Sequence, residues 1–416
     1  AITELAEGTR PSLRWLFLML AIEFAGFAML IPILPFFLIH EIGVGPERVG
    51  LLLSVNSFAQ LIGAWGSGRV SDAVGRQPVI TAVFAWAGLG FGATAFAQNF
   101  AQVLAVRVMQ GLSGGTAALC DAYLLDIIPR DQGMRASYMG LAGAVKGMSF
   151  VIGPGVGAML IHTGATRPQV FLIAGLLALV ASGIGLIRLE ESLDTLKRRP
   201  LCAPMPVDAI VVNTADWDAV NGGLLCIWFC RISSALGLGF LFATYAFLIK
   251  DNFGWSDKHF GMVLFVTGIA SAVLQLLAFP RVVSRWSATW TFVVGSLVGA
   301  ISFLLMPEAT LWVHVLALVC FTLKGSMTEP CFPVLIGDFA DARHQGFANG
   351  VTASCRALGT MISPFIAGSL YERNKRWAYY TGAAMFLCSA IGALLISYCQ
   401  KPGKLSESER LCAESR

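Results

Sequence analysis

Residues 15–39 read WLFLMLAIEFAGFAMLIPILPFFLI, and this run decides the fold. As an α-helix rising about 1.5 Å per residue, it is long enough to cross the roughly 30 Å hydrocarbon core of a bilayer. It holds one charge, Glu23, and its apolar residues do not alternate with period two, which excludes a strand of an outer-membrane barrel. It is also too long for the apolar segment of a secretory signal, so no cleavable signal peptide is expected.

Eleven further apolar runs follow, at 48–67, 78–98, 101–123, 137–161, 168–188, 222–249, 259–279, 288–306, 311–332, 346–370 and 378–399. Together they predict an all-α polytopic membrane protein with twelve transmembrane helices. The composition agrees. Hydrophobic residues make up 56% and charged residues 13% of the 416, with 44 Gly and 28 Phe. A water-soluble surface needs about 25% charge, so soluble enzymes, disordered chains and collagen-like fibres are disfavoured. The polar segment 189–221 holds Glu190, Glu191, Asp194, Lys197, Arg198 and Arg199. It divides the chain into an N-terminal six-helix bundle (1–188), a linker (189–221) and a C-terminal six-helix bundle with a short tail (222–416).

Lys and Arg set the expected orientation. With the N-terminus in the cytoplasm, 17 basic residues fall on the inner side, 7 on the outer side and 5 within apolar runs, out of 29. Both termini and the linker are therefore expected to be cytoplasmic, while the host membrane is not legible. The net charge of +4 is too small to imply nucleic-acid binding. None of the ten cysteines forms a C-x-x-C pair, so neither a metal site nor a disulfide framework is indicated. There is no G-x-x-x-x-G-K-[ST] and no H-E-x-x-H, and no cofactor is implied. Gly111-Leu112-Ser113-Gly114-Gly115 fits G-x-S-x-G but falls inside an expected helix with no strand before it, so it is no hydrolase elbow. An enzyme is not expected.

The two halves carry traces of a duplication. A shift of 211 places Gly43 on Gly254 and Gly50 on Gly261, and a shift of 212 places Arg69-Val70 on Arg281-Val282. A shift of 210 places Gly140 on Gly350, Lys146 on Arg356 and Pro154 on Pro364. Repeats of this kind put a substrate site near the midplane, between them.

Four motifs add a family resemblance. The turn after helix two reads Gly68-Arg69-Val70-Ser71-Asp72-Ala73-Val74-Gly75-Arg76-Gln77-Pro78, and helix one has Glu23-x-x-Gly26 followed by Pro32 and Pro35. Helix four has Arg107-x-x-Gln110-Gly111, and helix five has Gly147 and then Gly153-Pro154-Gly155-Val156-Gly157. In these places the chain resembles the major facilitator superfamily, above all its twelve-helix drug/proton antiporters of the tetracycline-resistance kind. It departs at Ala73 and Gln77, where the family has basic residues, and at Ser284, where the second turn would have Asp. The stretch Ala122–Asp126 also looks like the end of helix four in tetracycline antiporters. The resemblance implies that Asp72 contacts helix eleven and that Arg76 pairs with Asp126, as cytoplasmic gating contacts with Gly68 and Gly75. It assigns coupling roles to Glu23, Arg107 and Gln110, and a tight, leak-suppressing interface to Gly147, Gly153, Pro154 and Gly157.

The charges inside apolar runs carry the chemistry. An ionised Glu23 midway along helix one must face protein or water, or take up a proton. The alternative is a Glu that orients substrate or serves structure. Arg107 is permanently charged and can bind an anion or hold a carboxylate, such as Glu23, in a packing salt bridge. Glu329 is a second candidate for proton coupling, beside Pro330, which signals a helix break. Lys146, Lys324 and Arg356 are candidate cavity residues, with pairing or snorkelling as the alternative. Small residues at Gly143, Gly147, Gly153 and Gly157 offer one smooth face to a neighbouring helix.

The predicted function is proton-coupled antiport of a small organic molecule by alternating access, with the lipid bilayer and protons as the other partners and a monomer sufficing. The alternatives are a uniporter or symporter for an organic anion, and a non-transporting sensor or scaffold of the same fold.

Overall fold

The computed structural model describes residues 9–129, 132–193, 198, 220–340 and 344–399. Within them every expected apolar run is helical over most of its length, and no strand is formed. The helices are α1 (Thr9–Phe37, continued by a π-helical turn Leu38–Ile42), α2 (Pro46–Val74), α3 (Arg76–Thr94), α4 (Phe100–Leu112), α5 (Thr116–Ile127), α6 (Gln132–His162) and α7 (Arg167–Arg188). After the linker come α8 (Gly222–Phe253), α9 (Asp257–Leu277), α10 (Phe279–Leu305), α11 (Leu311–Thr328), α12 (Cys331–Phe339), α13 (Gln345–Arg373) and α14 (Lys375–Cys399). Two expected spans are broken: the fourth into α4 and α5, and the tenth into α11 and α12. Most of the linker and the tail beyond Cys399 lie outside the described residues, as do Arg130, Lys197, Arg199 and Arg343, which were counted for orientation.

Local chemistry explains the ends. Asn99 and Asn221 accept backbone N–H bonds from Gln102 and Leu224 at the starts of α4 and α8, each at 3.0 Å. Thr166 and Gln169 form a reciprocal capping box at the start of α7. Gly43 and Gly254 close the first helix of each half in the left-handed region, at φ 72° and 65°. They are the pair related by the 211-residue shift, so the repeat is visible in backbone conformation.

The chain divides into two compact units, each taking a short segment from the other half of the sequence. The first comprises Ala1–Val44, Val55–Ala203 and Trp255–Phe265. In it α1 packs on α6 and α7, and α3 on α7, around Leu16, Phe84, Tyr123 and Ala181. A Cβ added at Gly88 or Gly175 would lie within 2.8 Å of the other's backbone, so α3 and α7 meet backbone to backbone. The second unit comprises Gly45–Ser54, Pro204–Gly254 and Val266–Arg416. Here α8 packs on α13 and α14, and α10 on α11 and α14, around Trp228, Phe292, Phe332 and Leu335.

Large apolar side chains such as Leu276, Trp312 and Ile187 stay exposed on the helices. Faces so apolar call for lipid as their solvent. Among the described residues, ten spans are long and apolar enough to cross a membrane. The other two, α3 and α13, are helical where expected.

Candidate functional site

The first unit encloses a cavity of about 260 Å³ whose lining includes Glu23 of α1, Asn56 and Gln60 of α2, and Arg107 and Gln110 of α4. The last two lie on one face of α4 because they are three residues apart. Phe24, Phe27, Phe91 and Phe150 supply the apolar wall. The break between α4 and α5 forms one end, from Ser113 to Ala117. There Gly115 takes φ 99°, and the Ser113 hydroxyl donates to the Gln110 carbonyl at 2.6 Å. The expected continuous helix through 101–123 is thereby corrected. A Cβ at Gly115 would lie 2.7 Å from Ala64 Cα, so only glycine permits this crossing of α2.

Glu23, Arg107 and Gln110 are 6%, 4% and 6% exposed. Arg107 Nε and Nη2 are buried without a partner among the described residues, as is Gln110 Oε1. Gln110 Nε2 donates to Thr94 Oγ1 at 3.4 Å. Glu23 makes no hydrogen bond or ion pair among the described residues, so the packing salt bridge with Arg107 that the sequence left open is not formed. A carboxyl group, a permanent cation and an amide oxygen thus face one cavity with capacity to spare. Such groups are costly unless a ligand, water or a proton meets them.

Lys146, expected in the cavity, does not line it. It pairs with Asp121 of α5 at 2.9 Å. Asp121 was not among the candidate residues, although Glu329 was. The signal was present in the run 101–123 itself.

The second unit gathers its own charges. Arg231 of α8 donates to Glu329 Oε2 at 2.9 Å, and its guanidinium lies 4.4 Å from the Phe332 ring centroid. Arg231 is buried, with the Glu329 carboxylate across from it. Glu329 and Pro330 occupy the break between α11 and α12. Lys324 is 2% exposed, with Nζ 4.6 Å from the Phe386 centroid. Arg231, Glu329 and Arg356 all lie within its electrostatic reach.

In the turn after α2, Arg76 binds Asp72 at 2.7 Å and Asp126 at 3.1 Å, and also donates to Ser71 Oγ at 2.6 Å. Glu191 accepts the Arg76 backbone N–H at 2.8 Å. Its carboxylate fills the space a Cβ on Gly75 would need. Gln77, a family departure, donates to the Gly185 carbonyl at 3.1 Å and ties α3 to α7. At Gly68 the expected close approach is absent among the described residues: an added Cβ would meet nothing within 4 Å. The close contacts of α2 fall instead at Gly63, which presses on the Leu112 carbonyl.

The glycines of α6 do not form one face. A Cβ at Gly153 or Gly157 would lie 2.7 Å from the Ala25 or Met29 carbonyl of α1, whereas Gly143 and Gly147 have no neighbour within 4 Å. Six residues separate Gly147 from Gly153, and at 3.6 per turn that places them on different sides. Pro154 sits within the uninterrupted α6, and its carbonyl lies 2.6 Å from where a Cβ on Gly261 would stand.

Comparisons extend this geometry. The Major Facilitator Superfamily model matches residues 16–201 and 227–410. The chain is 24% identical over 384 residues to the class H tetracycline resistance protein of Pasteurella multocida, covering 91% of this chain and 93% of that one. It is 22% identical over 375 residues to the quinolone resistance protein NorA of Staphylococcus aureus, covering 89% and 93%. Among solved structures, the human organic anion transporter MFSD10 superposes with a TM-score of 0.66 at 21% identity, covering 92% of this chain and 99% of that one.

Proposed function

The chain belongs to the major facilitator superfamily and is thus an integral membrane transporter, not an enzyme; we propose that it exchanges a small organic molecule for protons. The observation that carries this reading is Glu23, a buried carboxyl group without a partner among the described residues, sharing a cavity with Arg107 donors that have none there either. Such a carboxyl group can alternate between proton and substrate, while Arg107, which does not release its own proton, holds the charge balance.

In the proposed cycle one six-helix half rocks against the other, and protonation of Glu23 competes with substrate binding. Each pH unit across the membrane then supplies roughly 1.4 kcal/mol per proton. The relatives' names make tetracycline and a quinolone the first probes. A monomer with cytoplasmic termini completes the proposal.

In proteoliposomes, an imposed pH gradient is expected to drive probe accumulation against its own gradient. Glu23→Gln is expected to abolish this accumulation while gradient-free exchange of labelled for unlabelled probe continues. Accumulation that survives Glu23→Gln would remove the proton role from that residue.

A further inference from the structure

We infer that a phospholipid with a net negative headgroup binds in a groove between α6 and the first turns of α9, its phosphate at Lys258 and His259 and one acyl chain along the helices. Such a site is independent of the proposed proton exchange and needs only a lipid-facing surface.

Both walls of the groove belong to the first unit. Its volume is about 720 Å³, within the roughly 300–1,000 Å³ of small-molecule sites. Ile152, Val156 and Met159 line it from α6, and Met262 and Phe265 from α9. Steps of four and three residues put the first three on one face of α6. All of these except Phe265 are exposed. Small residues hold the two helices together beneath them. A Cβ on Gly261 would lie 2.6 Å from the Pro154 carbonyl, and one on Gly155 would lie 2.7 Å from the Phe265 ring. The trough therefore has protein for its floor and apolar side chains for its sides.

One end of the trough is polar. His162 is the last residue of α6, and Lys258 and His259 stand in the first turn of α9. All three are exposed. From Ile152 to His162 the helix rises roughly 15 Å, half of the roughly 30 Å hydrocarbon core and so the depth of one leaflet. An acyl chain of one leaflet thus fills the trough while its headgroup lies at the polar end.

Charge selects the headgroup. Arg167 engages the acids at this end, donating to Asp257 at 2.7 Å and to Glu41 at 3.4 Å. Lys258 makes no ion pair among the described residues. The His259 Nδ1 accepts the Ser256 backbone N–H at 3.3 Å, and its ring stacks on Trp255 with centroids 5.7 Å apart. A neutral ring that accepts at Nδ1 carries its proton on Nε2, as a donor. An oriented N–H group and an ammonium group thus meet beside Trp255, a residue type enriched at membrane interfaces. A phosphate diester accepts from both. A zwitterionic headgroup gains less, because its own cation meets Lys258 with like charge.

The test uses the purified full-length protein in neutral detergent and a phosphatidylglycerol with a photoreactive diazirine in one acyl chain. Labelling is expected in peptides from 152–162 and 258–265. Unlabelled phosphatidylglycerol should suppress it at a concentration about fivefold lower than phosphatidylcholine with the same chains, the worth of one lysine at a membrane surface. Lys258→Gln is expected to erase that preference, and Met159→Trp to fill the trough and suppress labelling there. Both positions are exposed, so both variants should fold. The proposal is overturned if labelling spreads evenly over the lipid-facing helices, if the two lipids compete equally, or if Lys258→Gln keeps the preference. Soluble glycerol phosphate that competes as well as the lipid would make this an anion site without a chain and overturn it too. So would a dimer in sedimentation that Met159→Trp dissociates, which would assign the trough to a second copy.

Discussion

Gly75 and Ser287 stand 212 residues apart, at the matching turns of the two halves, and share an unusual backbone. Gly75 has φ 125° and ψ 159°, and Ser287 has φ 64° and ψ 161°. Glycine reaches this region freely, but a residue with a Cβ does so at a cost of about 1–2 kcal/mol. Ser287→Gly should therefore stabilise the protein by about 1 kcal/mol in a detergent unfolding titration. Gly75→Ala should destabilise it by about 2 kcal/mol or more, because strain adds to the displacement of Glu191. Changes of the same sign at both positions would contradict this reading. The sequence showed Gly75 as a turn residue through its motif. It gave no sign that Ser287 shares the conformation, since serine carries no signature of positive φ.

Among the elements, the two broken helices were unequally legible. Pro330 marked the break in the tenth span, because proline removes a donor and clashes with the preceding turn. The break at Ser113–Gly115 left no such mark. Hydrophobicity reports which solvent a segment faces, not whether its helix is continuous, so the run 101–123 read as unbroken. The contacts that require the break come from α2, through Gly63 and Ala64, and no local pattern encodes them. Gly115→Leu should therefore reshape the end of the first cavity, destabilise the fold by about 2–3 kcal/mol and reduce flux. Gly143→Leu, on a face of α6 without neighbours, should change stability by less than about 0.5 kcal/mol. A difference that vanishes in parallel unfolding titrations would show that the α2 crossing does not depend on glycine. The same contrast within α6 explains why an expected four-glycine face became two: only Gly153 and Gly157, four residues apart, meet α1.

For the whole molecule, the charges buried in apolar runs were visible in the sequence, but their partners were not. Lys146 and Asp121 are 25 residues apart, and Arg231 and Glu329 are 98 apart. Pairing them requires knowing which helices adjoin, which neither periodicity nor composition contains. The two pairs should respond differently to neutralisation. In the first unit both partners of Lys146–Asp121 are about one-quarter exposed, at 20% and 26%. Asp121→Asn should cost about 1 kcal/mol, and adding Lys146→Met should recover most of it. In the second unit Arg231 is 9% and Glu329 37% exposed, so Glu329→Gln should cost about 2 kcal/mol, because it leaves the buried guanidinium unpaired. Adding Arg231→Met should recover most of that loss, because the unpaired charge is removed with it. Unfolding free energies of the two double-mutant cycles measure this directly. No recovery in the Arg231–Glu329 cycle would mean that the loss comes from Glu329 itself and not from an unpaired Arg231.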